Sequence, residues 1–543
     1  MQELIRSVGT IKPARGSLAG YLEGLLNSGD EILEAGGMYN LLDVHAVTKA
    51  HWPRLLDLSR HRAIHAKAFD HFLQRFQYDL AEKILAAAET SRAPDPAEKF
   101  RALLANDNEA AADYEGRAFL ADGSIDHLVA AAMHSEAAGG WKESLLWATR
   151  AFLLNPMAPQ TAGRLLNTLD EANRPDELAQ VLDALAAANL HPAYRWIFGM
   201  VLALHQKDHA RLKTLMTSAD VDKLDDRLKS KAHHTLALAA EALGSHREAY
   251  DHYVKQNAPR KDRPPQPNAF FERVQRLDAI DVGPLPADRR SRHVMMVGFP
   301  RSGTTLLENA LAAHPEIETF EEIPSCESLF RHVEETAKTA ANDAGTRTLG
   351  FERAREAYYR EIERRARKAE AQAYVDKLPI RSANIRLLEK LMPEKKYIFS
   401  LRHPHDVVLS CFKQSFKANT AMDNFLRFDS ACQAYDRVMT GWFEVFPGDS
   451  PRVHYVRYET LVTNFDDELR KVLAFLGVAW DDAVRDFAEL ADKRRVKTPS
   501  YAKVRQGLAL GVQSSWRNFD FLFKSREAEP LRKWVKRFGY EGI

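Results

Sequence analysis

Residues 293–313, HVMMVGFPRSGTTLLENALAA, restrict this chain more than any other stretch. HVMMVG is an almost unbroken apolar run of strand length and TTLLENALAA continues as a helix, with a turn bounded by Gly298 and Gly303 between them. A tight loop that leads from a strand into a helix aims backbone N–H groups into the turn and adds the positive end of the helix. It therefore suits an anionic group. In the nucleotide-hydrolysing version of such a loop, the second glycine is followed by a Lys that reaches the terminal phosphate and then by Ser or Thr. Here Thr304 takes the place of that lysine. The positive partner then has to be Arg301, and Ser302, Gly303, Thr304 and Thr305 supply backbone and hydroxyl donors around it.

The remaining C-terminal half keeps the same strand-then-helix texture. AYVD at 373–376, YIFSLR at 397–402 and VHYVRYE at 453–459 are short apolar or β-branched runs, each followed by a helix-forming segment. Such alternation implies a parallel sheet covered by helices on both faces, with ligands bound where strands end and helices begin. A second anion position fits there: Arg402 closes one strand, Pro404 opens the next helix, and Ser410 falls two turns along it. Arg402 and Ser410 can then converge on one phosphate. Two anion sites on one sheet imply a ligand with phosphates on both sides of a nucleoside.

Upstream the texture changes. Residues 61–262 are rich in Ala and Leu and lack strand-like alternation, an all-helical signature. Gly139, Asn173 and Lys207 recur at the step of roughly 34 residues typical of helix-turn-helix repeats, and Gly244 opens a further unit, so the stretch resembles tetratricopeptide repeats. Residues 1–60 read as a helical segment, and residues 263–292, which begin in a proline-rich stretch, as a linker. The expected fold is an all-α helical-repeat domain followed, over 293–543, by a P-loop-like α/β three-layer domain with a parallel sheet. A chain of 543 residues also exceeds what one core usually serves. Lys plus Arg number 76 against 75 Asp plus Glu, a net charge of +1, which gives no bulk attraction for nucleic acid or an anionic membrane. No apolar run reaches the roughly 18 residues of a membrane span. Three scattered cysteines, Cys326, Cys411 and Cys432, argue against a disulfide framework and for a reducing, cytoplasmic setting.

Five motifs in order, PRSGTTL, AHPEIETFEE, DKLP, LRHPHDVVLS and VRYETLVTN, resemble the sulfotransferase superfamily, especially tyrosylprotein sulfotransferases and bacterial sulfotransferases fused to tetratricopeptide repeats. The resemblance implies 3′-phosphoadenosine-5′-phosphosulfate (PAPS) as donor and no metal. It also implies that the 5′-phosphosulfate lies in the loop and the 3′-phosphate on Arg402 and Ser410. By the same resemblance Glu322 is the general base, Lys377 and Arg301 stabilise the leaving oxygen, and Tyr458, Ser500 and Trp516 adjoin the donor. The partner it implies is a hydroxyl-bearing acceptor: a peptide tyrosine, a glycan, a lipid or a small molecule. A protein or peptide acceptor would be held by the repeats, and a homodimer stays open. A small-molecule kinase is disfavoured by Thr304, and an interaction protein with an inactive transferase half by the joint presence of Glu322, Lys377, Arg402 and Ser410.

Overall fold

The computed structural model describes residues 2–9, 15–43, 47–65, 67–68, 93–104, 107–218, 220–258, 264–287, 290, 292–339, 344–368, 370–416, 419–487 and 514–541. It divides into two compact units, Met1–Leu224 and Asp225–Ile543.

The described part of the first unit is helical. Trp141–Leu154, Pro159–Glu171, Pro175–Ala187, Pro192–Gln206 and His209–Thr217 follow one another with short breaks, and consecutive helices pack together. Three of them carry proline at the first helical position, where the missing N–H has no intrahelical partner to lose. The periodic positions noted in the sequence turn out to be helix stops. Gly139, Asn173 and Lys207 have φ of 80°, 53° and 55°, the left-handed conformation that ends a helix. In each case the following N–H closes the turn: Gly140 onto Ser135 O, Arg174 onto Leu169 O and Asp208 onto Ala203 O.

Two helices that the sequence groups with the repeats, α1 (Asp226–Ala242) and α2 (His246–Gln256), belong to the second unit, with the stop at Gly244 between them. The stretch expected as a linker contains a helix, Pro267–Asp278, because Pro267 sits at its start and every residue after it is helix-compatible.

The sheet of the second unit has five parallel strands, β1 (His293–Gly298), β2 (Ile317–Glu321), β3 (Ala373–Lys377), β4 (Lys396–Leu401) and β5 (Val453–Arg457), in the order β2-β3-β1-β4-β5. β2 is the strand missing from the apolar runs of the sequence. It lies at the edge, and the adjacent polar residues Glu318 and Thr319 interrupt its apolar run. One face is covered by α3 (Thr304–Ala313) and the helix Phe465–Leu476, with Val294, Met296, Leu307, Leu311, Val375, Ile398 and Leu469 in a common core. On the other face Phe399 and Tyr397 meet fully buried Trp442, at ring-centroid distances of 4.3 and 5.6 Å. These layers exclude water from both faces of β1, which is why its sequence is apolar throughout. Strand order reverses about β1, so the loops after β1 and β4 open into one crevice at the C-terminal edge, and Gly298 pairs with Ser400 at the same level. Among the described residues no helix is long and apolar enough to cross a membrane.

Candidate active site

The two glycines of the β1 loop are required by close approach. A Cβ on Gly298 would lie 2.7 Å from the Ser400 carbonyl oxygen, and one on Gly303 would lie 2.4 Å from the Tyr458 ring. Gly303 precedes α3 at φ 92°, and the first helical residues, Thr304 and Thr305, are buried at 4% and 6% exposure. Arg301 is held at φ 73°, a left-handed conformation that costs a non-glycine residue about 1–2 kcal/mol. Ser302 Oγ is buried and has no hydrogen-bond partner among the described residues, and a buried hydroxyl left so costs about 1–3 kcal/mol. Strain and an orphaned hydroxyl in one loop are the marks of a site shaped for a ligand.

The residues expected to form a second anion position, Arg402 and Ser410, lie against the β1 loop. After β4 the chain passes Arg402 and enters α4 (Pro404–Lys413). Arg301 Nε donates to Ser410 Oγ at 3.1 Å, Arg402 Nη1 donates to the Arg301 carbonyl at 3.5 Å, and Cys411 Sγ donates to the Pro300 carbonyl at 3.3 Å. The Arg402 guanidinium rests 4.5 Å from the centre of the Tyr458 ring, the same ring that covers Gly303. Burial holds the Arg301 guanidinium below its ordinary value and the Arg402 charge adds to this, while Glu322 acts in the opposite sense. Two converging cations supply the field that a multiply charged ligand needs.

Glu322 follows β2 at φ 49°, again left-handed, and its N–H donates to the Lys377 carbonyl at 2.9 Å. That turn brings its carboxylate over the end of β3, where Lys377 Nζ donates to Glu322 Oε1 at 3.0 Å. Lys377 is fully buried and also meets Glu308 at 3.3 Å and Glu321 at 3.5 Å. Burial alone would depress its pKa, yet the three carboxylates outweigh that and hold it above the ordinary lysine value. The Glu322 side chain is 40% exposed, so one carboxylate of the cluster can meet an incoming group. Asp376, the neighbouring acid, is structural: it pairs with Arg381 and accepts from Ser325 Oγ at 2.8 Å.

Trp516 lies at the start of α4, apart from the loop. Its N–H donates to Asp406 Oδ1 at 3.2 Å and its ring stacks on His403 at 5.0 Å. Ser500 lies outside the described residues. His403 and His405 are pushed down to about 3 and about 4. Burial is the main cause for both; His405, Arg517 and Arg402 add like charge at His403, and Asp520 opposes the shift at His405. Folded values below the ordinary one near 6.5 mean that this stability is complete above about pH 6.5 and is lost as pH falls through the folded values. The melting temperature is therefore expected to drop from about pH 6.5 to about pH 4, and His405→Gln to flatten that drop. An unchanged pH slope in the variant would remove His405 from the account.

Glu308 and Glu459 went unnoticed in the sequence, and Glu321 stood only as the alternative to Glu322. Glu308 stands one helical turn after Thr304 on the inward side of α3, a spacing that could have drawn attention to it. Glu459 accepts from the His403 N–H at 2.9 Å and from the Tyr540 hydroxyl at 2.7 Å, contacts with no local sequence signal.

Residues 293–482 match the model of the Sulfotransferase family. The chain is 26% identical over 242 residues to an uncharacterized protein of Aquifex aeolicus, covering 42% of this chain and 31% of that protein. It is also 26% identical over 248 residues to protein-tyrosine sulfotransferase 1 of Danio rerio, covering 45% of this chain and 65% of that protein. The match thus spans less than two thirds of either relative. Among solved structures, the sulfotransferase domain of the Synechococcus PCC 7002 olefin synthase is similar at 20% identity and a TM-score of 0.29, covering 43% of this chain and 93% of that one.

Proposed function

We propose that this protein is an O-sulfotransferase that uses PAPS and transfers its sulfuryl group to an acceptor hydroxyl. The observation that carries this reading is the convergence, at one strand-end crevice, of the Arg301–Ser410–Arg402 cluster with the Glu322–Lys377 pair. The buried Ser302 hydroxyl, without a partner among the described residues, fits a phosphate-like group. When bound, PAPS supplies an activated sulfuryl group on a phosphosulfate anhydride.

The residues of this chain then divide the work. Arg301, Ser302, Gly303, Thr304 and Thr305 hold the 5′ end, with backbone N–H groups and the α3 N-terminus facing it. Arg402 and Ser410 take the 3′-phosphate, while Tyr458 and Trp516 adjoin the nucleoside. Lys377 occupies one oxygen of Glu322, leaving the other to take the proton of the acceptor hydroxyl as that oxygen becomes nucleophilic. Lys377 and Arg301 place positive charge where the leaving oxygen gains negative charge. The acceptor is a peptide or other hydroxyl compound recruited by the helical first unit.

Arg402→Ala should weaken binding of adenosine 3′,5′-bisphosphate by about 2 kcal/mol, the scale of a lost charge-assisted contact, as read by calorimetry. Transfer of labelled sulfate in the presence of EDTA completes the test. Unchanged affinity overturns the placement of the donor on Arg402, and turnover that requires Mg²⁺ favours a kinase.

A further inference from the structure

α4 carries Ser410 in its last turn, and helices leave their last carbonyls without intrahelical donors. Here two of those carbonyls are met from α2. Asn257 Nδ2 donates to the Phe412 carbonyl at 2.9 Å, and Gln256 Nε2 donates to the Lys413 carbonyl at 3.4 Å. The two amides are joined, Gln256 Nε2 to Asn257 Oδ1 at 3.0 Å, and both side chains are buried. The same turn is pinned by a charge relay: Glu241 of α1 accepts from Lys413 Nζ at 2.6 Å and from the Tyr253 hydroxyl. Tyr250 and Tyr253 lie against Phe412, at ring-centroid distances of 5.6 and 6.3 Å. On its opposite side the turn reaches the anion loop, through Ser410 to Arg301 and through Cys411 to Pro300.

We propose that Asn257, with Gln256, is a positioning residue for the 3′-phosphate half of the donor site, acting through the last turn of α4. This rests on the donor reading above. Asn257 touches no reacting atom; it sets the height of the turn that presents Ser410 to the 3′-phosphate. Loss of its amide leaves the buried Phe412 carbonyl unsatisfied, and a last turn that shifts to recover a partner moves Ser410 off the 3′-phosphate position. A ligand bearing a 3′-phosphate should register the shift, and one lacking it should not.

Full-length Asn257→Ala, and Gln256→Ala as the milder variant if the first does not fold, are titrated by calorimetry with adenosine 3′,5′-bisphosphate and with adenosine 5′-monophosphate. The expected result is an affinity loss of about tenfold for the bisphosphate and less than about twofold for the monophosphate. Equal losses for the two ligands, or none, overturn the proposal. Arg402→Ala in the same series separates the layers of inference. If it loses bisphosphate affinity while the α2 variants do not, only the positioning role fails; if it loses none, the placement of the donor on Arg402 fails, and if the wild-type protein binds neither nucleotide, the donor reading fails, with this role lost in either case.

Discussion

Glu322→Gln is expected to lower turnover by about 10² or more while leaving affinity for adenosine 3′,5′-bisphosphate within about twofold. The amide keeps the size of the carboxylate and can still accept from Lys377 Nζ, so the strained turn at φ 49° and its backbone bond to the Lys377 carbonyl survive. What it loses is the capacity to take a proton. Glu321→Gln is the matched control, because Glu321 meets the same lysine at the longer distance of 3.5 Å. Steady-state rates with a sulfate acceptor and calorimetry with the bisphosphate decide the matter. A dead Glu321→Gln beside an active Glu322→Gln would transfer the base to Glu321.

The second large effect falls on stability as well as rate. Lys377 is the cation common to Glu308, Glu321 and Glu322, and Glu308 is itself 6% exposed. Lys377→Met fills similar space but removes the buried cation these acids share, so unfolding in denaturant is expected to lose about 3–5 kcal/mol, with turnover abolished. Adding Glu308→Gln removes one of the negative charges that faced the lysine. The double variant should recover part of the stability and none of the activity, a coupling that separates a structural ion cluster from a catalytic one. A single variant that unfolds at the wild-type denaturant concentration would show that the cluster contributes nothing to stability.

Much of the fold was legible because it is written in local spacing. The left-handed stops at Gly139, Asn173 and Lys207 repeat in step, and each is a property of a single turn of chain. The β1 loop was legible for the same reason: strand, two glycines and helix start lie within a short run. β2 was harder to see, since the adjacent polar residues Glu318 and Thr319 interrupt its apolar run and make it look like a loop. The helix at Pro267–Asp278 was hidden by prolines that read as breakers but sit at or before its first turn. The place of α1 and α2 with the sheet rather than with the preceding helices depends on contacts such as Asn257 to Phe412 and Lys413 to Glu241. Their own sequences carry a further unit of the repeat, opening at Gly244 a few residues beyond the regular step.

Glu322 and Lys377 came only from the resemblance of ordered motifs; residue types and short-range order by themselves were enough to mark a loop suited to an anion at 298–305 and a second basic position at Arg402. These follow from backbone geometry over a few residues, which the sequence contains. Only the tertiary structure decided which of them meet. The parallel register that sets Glu321 opposite Lys377 brings Glu322 onto that lysine, and the reversal of strand order about β1 carries Ser410 to Arg301 across more than a hundred residues. The same packing places Glu308 in the cluster and Asn257 behind α4. Such meetings depend on how separate strands and helices pack, and a linear pattern holds no record of that.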